Sequence, residues 1–152
     1  MTKHQVFLGL GSNLGDREHH LTEAIRLIGE RVGQVVRQSS FIETEPWGFE
    51  SENGFLNGVI LCETTLTPRQ LLTVTQQIER DLGKRGEHAT QRSQSSKFKV
   101  QSSKFYDRPI DIDILLYDDL TVDEPDLKIP HPLMYERDFV MIPLKEIREN
   151  IN

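Results

Sequence analysis

Cysteine is nearly absent, with one residue, Cys62, among 152. That excludes a disulfide framework within the chain and any metal site built from several cysteines. Cys62 lies in the apolar run Val59-Ile60-Leu61-Cys62 and reads as a small core residue. No apolar run approaches the roughly 20 residues that cross a bilayer, which excludes a helical membrane span. Met1-Thr2-Lys3 leads almost directly into Val6-Phe7, without the long apolar stretch and cleavage site of a secretory leader, so the expected compartment is the cytoplasm. A basic excess is also missing. Lys and Arg number 18 against 24 Asp and Glu, a net charge of −6, which argues against a protein that coats nucleic acid. A small anionic ligand stays open, because a local basic cluster or a bound cation can dominate one site. What is present is a hydrophobic fraction of 36% in a chain of single-domain length, so one domain over 1–152 with a real core is expected.

Val6-Phe7-Leu8-Gly9-Leu10 is a short apolar run ending at Gly11 and predicts a buried strand. Leu21, Ala24, Ile25 and Ile28 recur at i, i+3, i+4, i+7, predicting a helix over 17–28 with Asp16 as N-cap. Alternation through Val35, Arg37, Ser39, Phe41 and Glu43 predicts one long strand over 33–44, followed by a loop. Residues 55–63 read as a third strand. Thr67-Pro68-Arg69-Gln70 combines an N-cap, a first-turn proline and a capping-box glutamine. The helix it opens has the stripe Leu71, Val74, Ile78, Leu82 and stops at Gly83. Residues 110–117 form a fourth strand. The order strand–helix–strand–strand–helix–strand is the split βαβ arrangement of an α+β, ferredoxin-like βαββαβ core. The apolar segment 139–147, broken by Pro143, is left as a C-terminal extension without an assigned element.

Residues 84–108 do not fit that regular pattern. Gln94-Ser95-Ser96-Lys97-Phe98 recurs seven residues later as Gln101-Ser102-Ser103-Lys104-Phe105. Read blandly, this is a duplicated polar loop. Read for function, it is a flexible lid carrying cations suited to phosphate, among them Lys84 and Arg108.

The most informative segment is Arg108-Pro109-Ile110-Asp111-Ile112-Asp113-Ile114-Leu115-Leu116. Side chains alternate along a strand, so Asp111 and Asp113 share a face roughly 6.6 Å apart while Ile112 and Ile114 point into the core. Two carboxylates so placed can hold a pair of cations about 4 Å apart. The competing reading is an edge strand with two solvated acids. Gly9-Leu10-Gly11-Ser12-Asn13-Leu14-Gly15 follows the first strand but matches neither a P-loop nor the dinucleotide fingerprint, and reads as a tight strand-to-helix turn. His131 stands between Pro130 and Pro132, six residues before Arg137, whose forked guanidinium suits phosphate. Phe55 and Asn57 share a strand face, a pairing able to stack on a flat heterocycle and read its edge, or equally a core Phe beside an exposed amide.

In order and nearly end to end, from Val6 to Ile147, these pieces resemble the 6-hydroxymethyl-7,8-dihydropterin pyrophosphokinase family of folate biosynthesis. The carrying motifs are Gly11-Ser12-Asn13-Leu14-Gly15, Ser39-Ser40-Phe41 to Thr44-Glu45-Pro46-Trp47-Gly48, and Phe55-Leu56-Asn57. They continue with Gln76-Gln77-Ile78-Glu79, the Arg108 to Leu115 segment, and Pro130-His131-Pro132-Leu133-Met134 to Arg137-Asp138-Phe139. The resemblance implies an ATP-dependent transfer of pyrophosphate to the pterin, with release of AMP. It implies two magnesium ions on Asp111 and Asp113, and a pterin site formed by Phe55, Phe139, Asn57 and the neighbourhood of Thr44 and Trp47. Gln76, Glu79, Lys84 and Ile114 fall on the nucleotide side, and Arg108, His131 and Arg137 against the phosphates. Lys84 stands where the family often has Arg. The implied partners are these two small molecules, with no nucleic acid, membrane or obligate protein partner. Two rivals share the fold: a nucleotide-using transferase with another acceptor, and a non-catalytic module for RNA. The latter predicts exposed aromatics on a basic sheet, where this chain has an Asp-x-Asp strand.

Overall fold

The computed structural model describes residues 2–44, 54–84 and 109–148, with only the backbone of Lys84. The duplicated segment, Trp47 and Arg108 lie outside the described residues. The elements are β1 (His4–Ser12), α1 (Arg17–Arg31), β2 (Gly33–Gln38), β3 (Ile42–Thr44), β4 (Phe55–Thr64), α2 (Pro68–Glu79), β5 (Asp111–Tyr117), β6 (Val122–Glu124), β7 (Leu127–Ile129) and α3 (Asp138–Arg148).

Four strands lie in the order β2-β4-β1-β5, all neighbours antiparallel, and β3 adds a short rung to β4. With α1 and α2 in the crossovers this is the expected ferredoxin-like α+β sheet. The helix starts follow the local chemistry. Asp16 accepts the His19 N–H at 3.2 Å, and Thr67 and Gln70 exchange both capping-box bonds, at 3.2 and 3.0 Å. The α-helical part of α2 ends at Glu79, earlier than its apolar stripe suggests. A wider π-type turn, Arg80–Lys84, then carries the chain to Gly83, whose φ of 121° only glycine adopts readily.

Both faces of the sheet bury apolar side chains. Val6, Leu8 and Leu10 of β1, Ile60 and Cys62 of β4, and Ile112 and Ile114 of β5 pack with Leu21 and Ile28 of α1 and Leu71 and Ile78 of α2. On the other face Phe7, Val59, Leu61 and Leu115 pack with Val140, Leu144 and Ile147 of α3. So 139–147 is a helix that runs through Pro143. Burying several large apolar side chains, at about 1.5–3 kcal/mol each, outweighs the roughly 3 kcal/mol a mid-helix proline costs.

Two expectations need correction, and one further element was not expected. The first strand does not end before Gly11 but continues to Ser12, so Gly9 and Gly11 are strand residues and not a turn. The long strand over 33–44 is two strands. At the break, Ser39 donates its N–H to Val59 O and accepts the Val59 N–H on Oγ, both at 2.9 Å. Ser40 donates from N–H and hydroxyl to Glu146 of α3, at 3.0 Å each. These side-chain bonds replace the ladder there. Finally, β6 and β7 form an unforeseen hairpin, with strands of three residues too short and polar to show a period.

Candidate active site

The register of β4, β1 and β5 builds the site. On β1, Gly11 pairs with Asn57 of β4 on one side and Asp111 of β5 on the other. One pleat further, Gly9 pairs with Val59 and Asp113. Residues at period two share a face, so Phe55, Asn57, Gly9, Gly11, Asp111 and Asp113 all belong to the face that α3 covers only in part. Asn57 and Asp111 are separated by two strand spacings, roughly 10 Å, with only glycine backbone between them. A Cβ at Gly11 would stand 3.0 Å from Asn57 Oδ1 and 3.6 Å from the Phe55 ring. The two glycines thus form a floor without side chains. Their i, i+2 spacing in an apolar run was the available signal, and reading them as a turn concealed it.

Asn57 is buried, and its Nδ2 donates to Thr44 Oγ1 of β3 at 2.9 Å. That bond orients the amide and leaves Oδ1 on the Gly11 side. The pair Thr44 and Asn57, expected on the heterocycle side, is therefore brought together. Phe139 opens α3, partly buried, with the Arg137 guanidinium carbon 5.5 Å from its ring centroid, within cation–π range.

Beside the carboxylates lies a cavity of about 460 Å³. Its walls include Gln76 and Glu79 of α2, Asp111, Asp113 and Ile114 of β5, and His131. Four expected nucleotide-side or phosphate residues, Gln76, Glu79, Ile114 and His131, thus converge on one space with the two aspartates expected to hold the cations. Ile114 contributes as a buried residue at its edge. Glu79 is also buried, and its Oε2 accepts the backbone N–H of Ile112 at 2.7 Å. The sequence reading missed Lys128 of β7, which reaches this cavity and donates Nζ to Asp123 at 2.6 Å. It was concealed because the hairpin that carries it was not foreseen.

His131 follows a cis Ile129–Pro130 peptide. Its N–H donates to Leu115 O at 3.1 Å, fixing the loop to β5. Its Nδ1 accepts the Leu133 N–H at 3.3 Å, which leaves Nε2 to carry the proton of a neutral ring. Nε2 faces Asp113 Oδ1 at 4.0 Å. Burial holds the imidazole below its ordinary pKa, the nearby Arg137 charge acts in the same direction, and Asp111 opposes both.

Among the described residues no group of three or more His, Cys, Asp and Glu converges as a metal cluster. Asp111 and Asp113 supply carboxylate oxygens alone. Such a donor set suits a hard cation that takes its other ligands from water and phosphate, and suits magnesium better than zinc. Among these residues, too, no helix is long and apolar enough to cross a membrane.

A ferredoxin-like sheet with a carboxylate pair and a partly buried histidine around one cavity has the frame of a nucleotide-dependent transferase. The family model for 7,8-dihydro-6-hydroxymethylpterin-pyrophosphokinase (HPPK) matches residues 7–149, and the chain belongs to that family. It is similar to the 2-amino-4-hydroxy-6-hydroxymethyldihydropteridine pyrophosphokinase of Porphyromonas gingivalis, at 47% identity over 93% of this chain and 89% of the relative. The Bacillus subtilis protein of that name is 38% identical over 96% of this chain and 79% of its own. Among solved structures, the Plasmodium falciparum HPPK-DHPS triple mutant with SDX-DHP superposes with a TM-score of 0.69 at 16% identity. That match covers 95% of this chain and 40% of the longer one, and it establishes the fold alone. The chain is accordingly a pyrophosphokinase, an ATP-dependent diphosphotransferase of folate biosynthesis.

Proposed function

We propose that this protein transfers pyrophosphate from ATP to the hydroxymethyl oxygen of 6-hydroxymethyl-7,8-dihydropterin through the residues assembled above, in the cytoplasm and without nucleic acid, membrane or obligate protein partner. The observation that carries the assignment is the cross-strand row Asn57–Gly11–Asp111, which joins an amide suited to a heterocycle to a carboxylate suited to a cation. The acceptor oxygen attacks the β-phosphorus of ATP and AMP leaves, a displacement that demands positioning and charge neutralisation more than covalent help.

Phe55 and Phe139 stack on the pterin ring. Asn57, pre-oriented by Thr44, reads its edge, with Trp47 contributing. Gln76, Lys84 and Ile114 belong to the nucleotide side. Asp111 and Asp113 would hold two magnesium ions, which when bound neutralise phosphate charge and acidify the acceptor hydroxyl. His131, neutral at physiological pH, donates from Nε2 toward a phosphate oxygen, and Arg108 and Arg137 place fixed positive charge where negative charge develops. Closure of residues 84–108 as a lid would exclude water and suppress ATP hydrolysis.

Measuring AMP release from ATP with and without the pterin, and with and without magnesium, tests the proposal. AMP formation should require both additions and match formation of the pterin diphosphate one to one. AMP release indifferent to the pterin would overturn it.

A further inference from the structure

We propose that Glu79 is a positioning residue for the two aspartates, holding the strand that carries them from its open side. This deepens the reading that Asp111 and Asp113 hold the metal, and depends on it. The carboxylate of Glu79 is in a costly place. It is 7% exposed, at the last α-helical residue of α2, where the carbonyl end of the helix dipole disfavours an anion. A buried carboxyl group there needs a hydrogen-bond partner, and its Oε2 accepts the Ile112 N–H at 2.7 Å.

The partner's location gives this bond its meaning. Ile112 separates Asp111 from Asp113, so the peptide units flanking it set the spacing and direction of both carboxylates. Among the described residues β5 ends the sheet path β2-β4-β1-β5, with no further strand on its outer side. Glu79 supplies one restraint from α2. The Ile112 side chain meanwhile sits in the core formed with Leu71 and Ile78 of the same helix. Side chain and amide together tie the centre of the Asp-x-Asp segment to α2. With one carboxylate oxygen engaged by the backbone and the group nearly buried, Glu79 acts on the metal ligands through β5, as outer-shell partners of metal ligands do.

The experiment uses the full chain with Glu79→Gln, Glu79→Ala and Glu79→Met, and compares two quantities in each. One is exchange of the Ile112 amide hydrogen in the ligand-free protein. The other is Mn²⁺ affinity in the presence of α,β-methylene-ATP, read by electron paramagnetic resonance. Glutamine can still accept the bond, so that variant should keep both protection and affinity. Alanine and methionine should speed exchange at Ile112 and weaken Mn²⁺ by about tenfold or more, the usual loss for an outer-shell partner. Binding of AMP without metal should stay at the wild-type level in all three. A variant that loses amide protection while keeping Mn²⁺ affinity, or the reverse, would overturn the positioning role. So would a loss of metal-free AMP binding matching the loss of Mn²⁺, which would make Glu79 a direct nucleotide contact. Asp111→Asn and Asp113→Asn separate the two levels: unaltered Mn²⁺ binding in both would remove the metal reading itself, whereas lost binding there with full binding in the Glu79 variants would remove only this inference.

Discussion

The outer face of the sheet has two halves built from the same three strands. In one, Phe7, Val59, Leu61 and Leu115 are closed over by Val140, Leu144 and Ile147 of α3. In the other, one or two pleats further along, the same face presents Gly9, Gly11, Asn57, Asp111 and Asp113. The register of β1 with β4 is continuous through both halves, that of β1 with β5 shifts between Phe7 and Leu8, and side-chain type changes with it. Large apolar groups invite a helix and become core, while glycines, carboxylates and an amide leave a floor that a ligand can approach. Stability and chemistry are thereby assigned to neighbouring stretches of single strands, and substitutions should separate them.

The largest effect is expected in the open half. Asp111→Ala or Asp113→Ala should lower magnesium-dependent turnover by at least about a hundredfold, because the cation loses a ligand it needs to neutralise the phosphates. Thermal unfolding should change little, since two like charges on a part-exposed face are removed one at a time. Turnover at the wild-type level in either variant would remove the metal assignment. In the closed half the pattern should reverse. Leu144→Ala deletes a side chain that is 1% exposed and should cost about 2–5 kcal/mol in urea unfolding, with kcat of the folded fraction preserved.

Two smaller changes probe the boundary between heterocycle and metal sides. Asn57→Ala leaves a ligand group without its hydrogen-bond partner, costing about 1–3 kcal/mol of pterin affinity. Gly11→Ala introduces a Cβ 3.0 Å from Asn57 Oδ1 and should weaken the pterin similarly through crowding, by about 1–3 kcal/mol. Isothermal titration of each ligand separately should find ATP affinity intact in both; equal losses for both ligands would place these residues in the scaffold instead. The smallest expected effect is at Cys62. Burial, assisted by the Glu63 charge, pushes its thiol up to about 12, so it stays protonated and unreactive. A thiol reagent at about pH 8 should label it only after unfolding, and rapid labelling of the native protein would show that the core around β4 opens.

Much of this division is legible residue by residue. The Asp-x-Asp alternation in 111–114 carries its own facing rule, and both isoleucines do point into the helix-covered core. The capping box at Thr67 and the cap at Asp16 are local hydrogen-bond chemistry and appear where the sequence puts them. Other features depend on distant partners. The break after Gln38 exists because Ser39 bonds to Val59 and Ser40 to Glu146, more than a hundred residues away in the chain. α3 looked broken because Pro143 violates a local preference that burial against Phe7, Val59 and Leu61 overrides. Lys128 was hidden by a hairpin with no detectable period.

The βαββαβ order, the family, and which residue types could carry the chemistry are legible in the amino-acid order, because periodicity, caps and motif spacing are properties of short stretches. Tertiary structure alone decided that Asn57, Gly11 and Asp111 form one row, that the carboxylate of Glu79 meets the amide between the two aspartates, and that α3 covers half a sheet face and leaves the other half open. Those relations are made by strand pairing and packing between residues tens of positions apart, which no local pattern encodes.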